Sequence, residues 1–314
     1  MTRIPESRTA DPRSGVSGEP GSAWHHATGV LALDRPRILG IVNVTPDSFS
    51  DGGRFVALDE ARRHADRLIA EGADVIDVGG ESTRPQGARA VDADEEKRRV
   101  VPVIEAVHRD HPSIPISVDT TKAAVADAAL ESGASIVNDV SALRLDEAMA
   151  RVCAAAEAGV VLMHSRGDVA TMATYAHATY GDDPVGEVIA ELRAAADVAL
   201  NAGVAADRIV LDPGVGFSKK SETSIAMLAE LPRLVALGYP VLVGASRKRF
   251  IGEITGVAEP SERVAGTVGA NVAALLRGAR LFRVHDVKPS RAALDVAWTV
   301  LRSGHPLGGA GAAW

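Results

Sequence analysis

Eight short apolar runs punctuate the chain, at residues 38–43, 75–78, 114–118, 135–138, 160–163, 209–212, 241–243 and 281–284. They are nearly unbroken Val, Ile and Leu, the composition of parallel strands covered on both faces. Between them the pattern changes to a helical period of 3.6. Leu58, Ala61, Ala65, Leu68 and Ile69 fall on one helical stripe, with Glu60, Arg63, Asp66 and Arg67 around it. Val188, Leu192, Ala195, Ala196 and Ala199 repeat the pattern before Asn201 and Gly203 stop the helix. Gly72, Gly133 and Gly159 stop others just ahead of the next strand. Strand–helix alternation repeated eight times predicts an α/β fold, a single-domain (β/α)8 TIM barrel, with a doubly wound open sheet as the alternative. The barrel spans residues 30–302, residues 28–35 form a short cap over its floor, and residues 1–29 and 303–314 are flexible tails.

Polar residues gather at the C-terminal strand ends. Asn43 leads into the loop at 44–53, Asp77 into 79–85, and Asp119 ends the third run. Asn138 and Asp139, then His164 and Arg166, end the next two. Asp212 opens Pro213-Gly-Val-Gly-Phe217, the seventh run gives Gly244-Ala-Ser-Arg-Lys-Arg249, and the eighth Arg283-Val-His-Asp286. Any one of these could simply cap a helix. In a barrel all eight ends share one rim, where active sites are built. Asp119, Asn138 and Asp212 offer two carboxylates and an amide, a set that satisfies a flat heterocycle with a cyclic guanidine edge and a carbonyl. Lys248, Arg283, His285 and Arg84 add positive charge at the mouth. Together they suit a heterocycle carrying phosphate, with Gly-rich loops allowing close backbone approach.

Composition narrows the partners. The 314 residues are 46% hydrophobic and 4% aromatic, with 30 glycines, so the core is built from Ala, Val, Leu and Ile. A net charge of −7, with no basic tract, makes nucleic acid a poor partner. No apolar run approaches the roughly 18 residues of a membrane span. The N-terminus lacks the apolar segment of a secretion signal, and Glu6, Asp11 and Glu19 disfavour a transit peptide, so a cytoplasmic location is expected. Cys153, the one cysteine, reads as a small buried residue. His164 reads as a satisfied buried histidine or a loop-positioner rather than a catalyst, and no His/Asp/Glu spacing suggests zinc.

The ordered set Asn43-Val-Thr-Pro-Asp-Ser-Phe-Ser-Asp-Gly-Gly53, Gly79-Gly-Glu-Ser-Thr-Arg-Pro85, Asp212-Pro-Gly-Val-Gly-Phe217, Ser246-Arg-Lys248 and Arg283-Val-His-Asp-Val287 resembles the dihydropteroate synthase family. The resemblance implies condensation of a dihydropterin pyrophosphate with 4-aminobenzoate, by a dissociative substitution. It assigns Asp119, Asn138, Asp212, Lys248 and Arg283 to the pterin, the catalytic role falling to Asp119, Asp212, Lys248 and Arg283. Asn43, Thr83, Arg283 and His285 fall to the pyrophosphate, with Asn43 as the protein ligand of Mg2+. Phe49, Asp51, Thr83, Arg84, Pro85, Phe217, Ser246 and Lys248 match positions around the aminobenzoate. A homodimer through late helices is also implied, although the small-residue helix at 264–276 suits packing on the barrel wall equally well. The chain departs from the family at Ser218, at Thr223 and Ser224, at Ser165 and at Gln86. A pterin-binding methyltransferase and a non-enzymatic pterin-binding paralogue are the competing readings. The cationic set Lys248, Arg283 and His285 weighs against the former, and the intact site residues against the latter.

Overall fold

A computed structural model describes residues 22–44, 53–82 and 91–303. The expectations for Phe49, Asp51, Thr83, Arg84, Pro85 and Gln86 lie outside the described residues. Two strands come first, β1 (Ala23–His26) and β2 (Gly29–Ala32). The barrel strands follow: β3 (Arg37–Asn43), β4 (Val75–Gly79), β5 (Ile116–Asp119), β6 (Ile136–Asp139), β7 (Gly159–Met163), β8 (Ile209–Asp212), β9 (Leu242–Val243) and β10 (Leu281–Val284). They pair in parallel in the order β8-β7-β6-β5-β4-β3-β10-β9. A parallel bridge from Leu211 to Val241 joins the two ends of that order. The structure is therefore the (β/α)8 barrel, and the open sheet is excluded. The third strand starts at Ile116 rather than Ile114, because Pro115 has no N–H to give to a ladder.

The helices are α1 (Gly53–Ala70), α2 (Ala93–Asp110), α3 (Ala123–Glu131), α4 (Met149–Ala155), α5 (Pro184–Asn201), α6 (Ser221–Ala229), α7 (Leu231–Val235), α8 (Arg249–Thr255), α9 (Val264–Leu276) and α10 (Val287–Arg302). The stripe on α5 is buried as its spacing predicts, and on α1 Ala61, Ala65 and Leu68 are buried. Asp183 caps α5 by accepting from the Gly186 N–H at 2.9 Å, and Pro184 opens its first turn. Gly72 and Gly133 adopt the left-handed conformation expected after a helix. Gly159 does not: it starts β7, and Glu157 takes the left-handed position instead. No helix among the described residues is long and apolar enough to cross a membrane.

Gly159 is glycine for another reason. A Cβ there would sit 3.0 Å from the His25 carbonyl and 3.2 Å from Trp24 Cε2, because β1 and β2 form an antiparallel hairpin pressed against the barrel floor. The composition assigns residues 22–29 to the tail and begins the floor cap at residue 28, whereas the hairpin begins at Ala23. What seats it is Trp24, wholly buried, with its indole N–H donating to the Arg208 carbonyl at 2.9 Å. Trp24 packs with Leu33 and with Leu39, Val75, Ile136, Val161, Val210, Leu242 and Leu281, one residue from each of seven barrel strands. Those seven line the inside of the barrel at its floor. Truncating Trp24 to alanine is expected to cost about 3–5 kcal/mol in denaturant unfolding, since the floor cannot collapse into the cavity. A loss below about 1 kcal/mol would mean that the hairpin is not part of the core.

Candidate active site

Side chains alternate across a strand, so residues two above the floor layer point into the barrel again. From Val75, Ile136, Val210 and Leu281 that step reaches Asp77, Asn138, Asp212 and Arg283. Asp119 and Asn43 lie at the C-terminal ends of β5 and β3, and His285 just beyond β10. The rule that builds the apolar floor therefore builds a polar mouth.

Arg283 is the pivot. Its Nε donates to Asp77 Oδ2 and its Nη2 to Asp119 Oδ2, both at 2.6 Å. Burial works against its charge, but Asp77 and Asp119 outweigh it and raise its pKa. Burial pushes Asp119 up to about 7, opposed by Arg283 and reinforced by Asp77. Asp212 is pushed by burial to about 6, although the Gly214 N–H donates to its Oδ1 at 2.7 Å and Lys248 favours its charge. Gly244 separates Asp212 from Arg283: a Cβ on it would lie 3.7 Å from Asp212 Oδ2 and 3.9 Å from Arg283 Cβ. Asn138, buried on β6, is in register with Asp119.

Loops supply the rest. Lys248 precedes α8, and its Nζ stands 3.8 Å above the centre of the Phe217 ring. Burial and the like charge of Arg283 draw its pKa down to about 8. Gly216, at φ +76°, lets that lysine pass; a Cβ would meet Lys248 Cδ at 3.0 Å. Ser246 Oγ accepts from the His285 N–H at 3.2 Å and lies 3.0 Å from Nδ1 of the same ring. Arg247, itself left-handed, grips Asp286 through two bonds of 3.0 and 2.7 Å. The mouth thus brings together Asp119, Asn138, Asp212, Phe217, Ser246, Lys248, Arg283 and His285, with Asn43 half-buried at the end of β3.

Asp77 went unassigned in the sequence, although an acid inside Val-Ile-Asp-Val-Gly at an inward position is its signal. The strand runs on to Gly79, so Asp77 sits one layer deeper than a strand-end reading implies. Lys122 was also missed. It donates to Glu81 at 2.9 Å and Glu96 at 2.7 Å, and Glu81 accepts from the Val91 N–H at 2.7 Å. Among the departures, Ser218 takes a left-handed φ of +47° and its Oγ accepts from the Arg166 N–H at 2.9 Å. Ser224 Oγ accepts from the Gly216 N–H at 3.1 Å, and Ser165 donates to the Val140 carbonyl at 2.6 Å. His164 is buried between two partners, as expected of a loop-positioner. No three His, Cys, Asp or Glu among the described residues form a metal cluster.

Residues 39–285 match the model of a family described as pterin binding enzyme. The dihydropteroate synthase of Synechocystis sp. is 46% identical over 254 residues, which is 81% of this chain and 86% of that protein. The dihydropteroate synthase of Xanthomonas albilineans, solved with 4-aminobenzoic acid, superposes with a TM-score of 0.83 at 47% identity, covering 90% of this chain and 99% of that one. A structure of the same enzyme in complex with 7,8-dihydropteroate gives a TM-score of 0.79 at 44% identity, over 90% and 99% of the two chains.

The buried acid gives a stability prediction. Asp212 has a folded pKa of about 6 against an ordinary 3.8, so between those values the native state holds a proton that the unfolded state has lost. Stability therefore falls as pH rises through that window and stays reduced above it. Asp212→Asn removes the penalty, and the unliganded variant is expected to exceed the parent by about 2–3 kcal/mol at pH 8. The gap should vanish near pH 4. Denaturant unfolding at the two pH values checks this, and a pH-independent difference would contradict it.

Proposed function

The chain belongs to the dihydropteroate synthase family of transferases, and from that premise we propose how its own residues divide the work. The reaction joins 6-hydroxymethyl-7,8-dihydropterin pyrophosphate to 4-aminobenzoate, giving 7,8-dihydropteroate and pyrophosphate. One observation carries the assignment of roles: Asp212, buried, and Asp119, half-buried, flank Arg283 in a single cavity mouth.

Asp119, Asn138 and Asp212 hold the nitrogen-rich edge of the pterin, Lys248 contacts the ring, and Arg283 lies against it. Arg283 and His285 hold the pyrophosphate, with Thr83. The aminobenzoate site draws on Phe49, Asp51, Thr83, Arg84, Pro85, Phe217, Ser246 and Lys248. The C–O bond breaks first, its electron pair leaving with pyrophosphate, and the exocyclic carbon becomes a cation delocalised into the pterin. The ionised Asp212, fixed in a dry cavity, stabilises that charge without reorganisation. The arylamine nitrogen then forms the C–N bond and loses one N–H proton to solvent. Exclusion of water from the mouth protects the cation from hydrolysis.

Asn43 fits a role as the protein ligand of Mg2+, because its amide oxygen is a hard donor on a half-buried rim residue. Mg2+ keeps most of its waters and takes few protein oxygens beside substrate phosphates, which agrees with the lack of a carboxylate cluster among the described residues. Such an ion would neutralise charge on the departing pyrophosphate.

The discriminating assay is pyrophosphate release, expected to require both substrates and Mg2+. Release without aminobenzoate would indicate a hydrolase, and methyl transfer from a methylated folate would favour the methyltransferase reading. Asp212→Asn and Arg283→Met are each expected to lower kcat about 10²–10³-fold while the fold stays intact. Near-normal turnover in either would remove that residue from the machinery.

We also propose a homodimer through α9 and α10, supported by three large apolar residues that stay exposed there: Leu276 at 47%, Val296 at 66% and Val300 at 53%. Val296→Asp is expected to convert the dimer to monomer in sedimentation. An unchanged mass would place the interface elsewhere.

A further inference from the structure

After Trp24, Lys219 heads the wholly buried side chains by volume, although it carries a charge. Lysine is almost never fully buried unless its charge is compensated. Its Nζ lies 2.7 Å from His164 Nδ1, 3.1 Å from the Phe217 carbonyl, 3.2 Å from the Gly214 carbonyl and 3.4 Å from the His164 carbonyl. The three carbonyls can only accept, and an ammonium has three donors where a neutral amine has two, so the shell fits the charged form. That makes Nδ1 of His164 an acceptor and puts the ring proton on Nε2. Glu191 Oε2 stands 2.9 Å from that nitrogen, ready to receive it. Arg166 completes the row by donating to Glu191 at 3.1 Å and to Glu187 at 2.8 Å. A buried ammonium, a neutral imidazole and a half-exposed carboxylate thus form one ordered chain.

The inner end of this chain reaches Asp212. The Gly214 N–H binds Asp212 Oδ1, and the His164 N–H binds the Asp212 carbonyl at 3.0 Å. The carbonyls of the same two residues face Nζ of Lys219. Gly214 is left-handed, and a Cβ on it would fall 2.0 Å from the His164 carbonyl, so the packing leaves no slack. One buried charge therefore ties the loop after β8 to the end of β7, on both sides of the carboxylate.

Resting on the reading of Asp212 as a pterin ligand, we propose that Lys219 is a positioning residue for this reaction. Its ammonium gathers the loop after β8, aims the Gly214 N–H at Asp212 and supplies a positive charge that keeps this carboxylate ionised. His164 Nδ1 accepts from the ammonium, and Asp212 and Glu191 favour its charged form.

The surrounding charges agree in sign. Burial raises the Asp212 pKa, and Lys248, Lys219 and Arg283 oppose it. Burial lowers Lys219 to about 7; Asp212 and Glu191 oppose that, while Arg166 and Lys248 add to it. His164 is drawn down to about 4, by burial first and by Lys219 next, so it stays neutral. Without the Lys219 charge, Asp212 loses one of three cations, and its pKa must rise.

The test is the pH dependence of kcat/KM for the pterin substrate, with pterin binding followed by calorimetry, in the parent, Lys219→Met and Asp212→Asn proteins. The parent should lose activity on the acid side through two ionisations, Asp119 and Asp212, and Asp212→Asn should leave only that of Asp119. Lys219→Met should move the Asp212 ionisation up by about one pH unit, which alone lowers kcat/KM about fivefold at pH 6. If Lys219→Met leaves the limb in place, this inference fails and the pterin role of Asp212 stands. If Asp212→Asn keeps the parental limb, the pterin role itself fails. Should Lys219→Met not fold, 15N spectra of the histidines in the unaltered protein decide the matter. His164 is expected as the neutral Nε2–H tautomer at pH 7; an Nδ1–H tautomer or an imidazolium overturns the proposal.

Discussion

Closing eight parallel strands into a ring imposes one constraint on which the remaining structure depends: every second residue points inward, and alternate strands share layers. Leu39, Val75, Ile136, Val161, Val210, Leu242 and Leu281 line the floor of the interior with Trp24 against them. Two residues further along the same strands stand Asp77, Asn138, Asp212 and Arg283. Core and site are thus consecutive layers of one pleat, only two residues apart in sequence. A slip of one residue in β8 would turn Asp212 outward against the helices and bring Leu211 into the mouth. Trp24 and Gly159 resist such a slip, because the hairpin fits the floor in one register. A residue near the N-terminus therefore helps to fix groups at the opposite end of the barrel.

Concentrating charge in that upper layer costs stability. Arg283 satisfies one oxygen on each of two carboxylates, yet Asp77 Oδ1 stays buried without a partner. Asp119 and Asp212 both sit well above the usual carboxylate range, because burial outweighs the nearby cations. A fold selected for stability alone would replace such acids with amides. Keeping them makes sense where a ligand brings the missing donors. The N–H groups of a pterin would complete what Arg283, Lys248 and the Gly214 N–H leave unfinished.

Strand and helix periodicity made the barrel legible, because both patterns report burial directly. The rim residues were legible as polar endings of apolar runs. Asp77 was not, since a strand-end reading cannot tell where a strand stops, and the ladder carries β4 on to Gly79. The hairpin was hidden by composition: Ser, Gly and charge dominate the first residues, and the burial of a single Trp outweighs them all. Gly159 resembled a helix stop until its neighbours were known. Lys219 was the hardest, because lysine beside lysine reads as a solvated loop. Only the folded chain brings the His164 ring and three carbonyls around one of the pair.

The loop after β8 shows how a departure from family pattern can be absorbed. Three of its alternate residues, Gly214, Gly216 and Ser218, take left-handed conformations. Two are glycine at no steric cost, whereas a serine there costs about 1–2 kcal/mol. Ser218 offsets this through its hydroxyl, which lies 2.7 Å from the Arg166 carbonyl and 2.9 Å from that of Met172 and accepts from the Arg166 N–H. At about 1 kcal/mol for each bond, the gain matches the strain. The bonds also stitch the loop to the segment after β7, the same two segments that Lys219 joins from beneath. Glycine at that position would relieve the strain but lose the stitch. The serine and the buried lysine are therefore best understood together, as two ties on a loop whose curvature sets where Asp212 points.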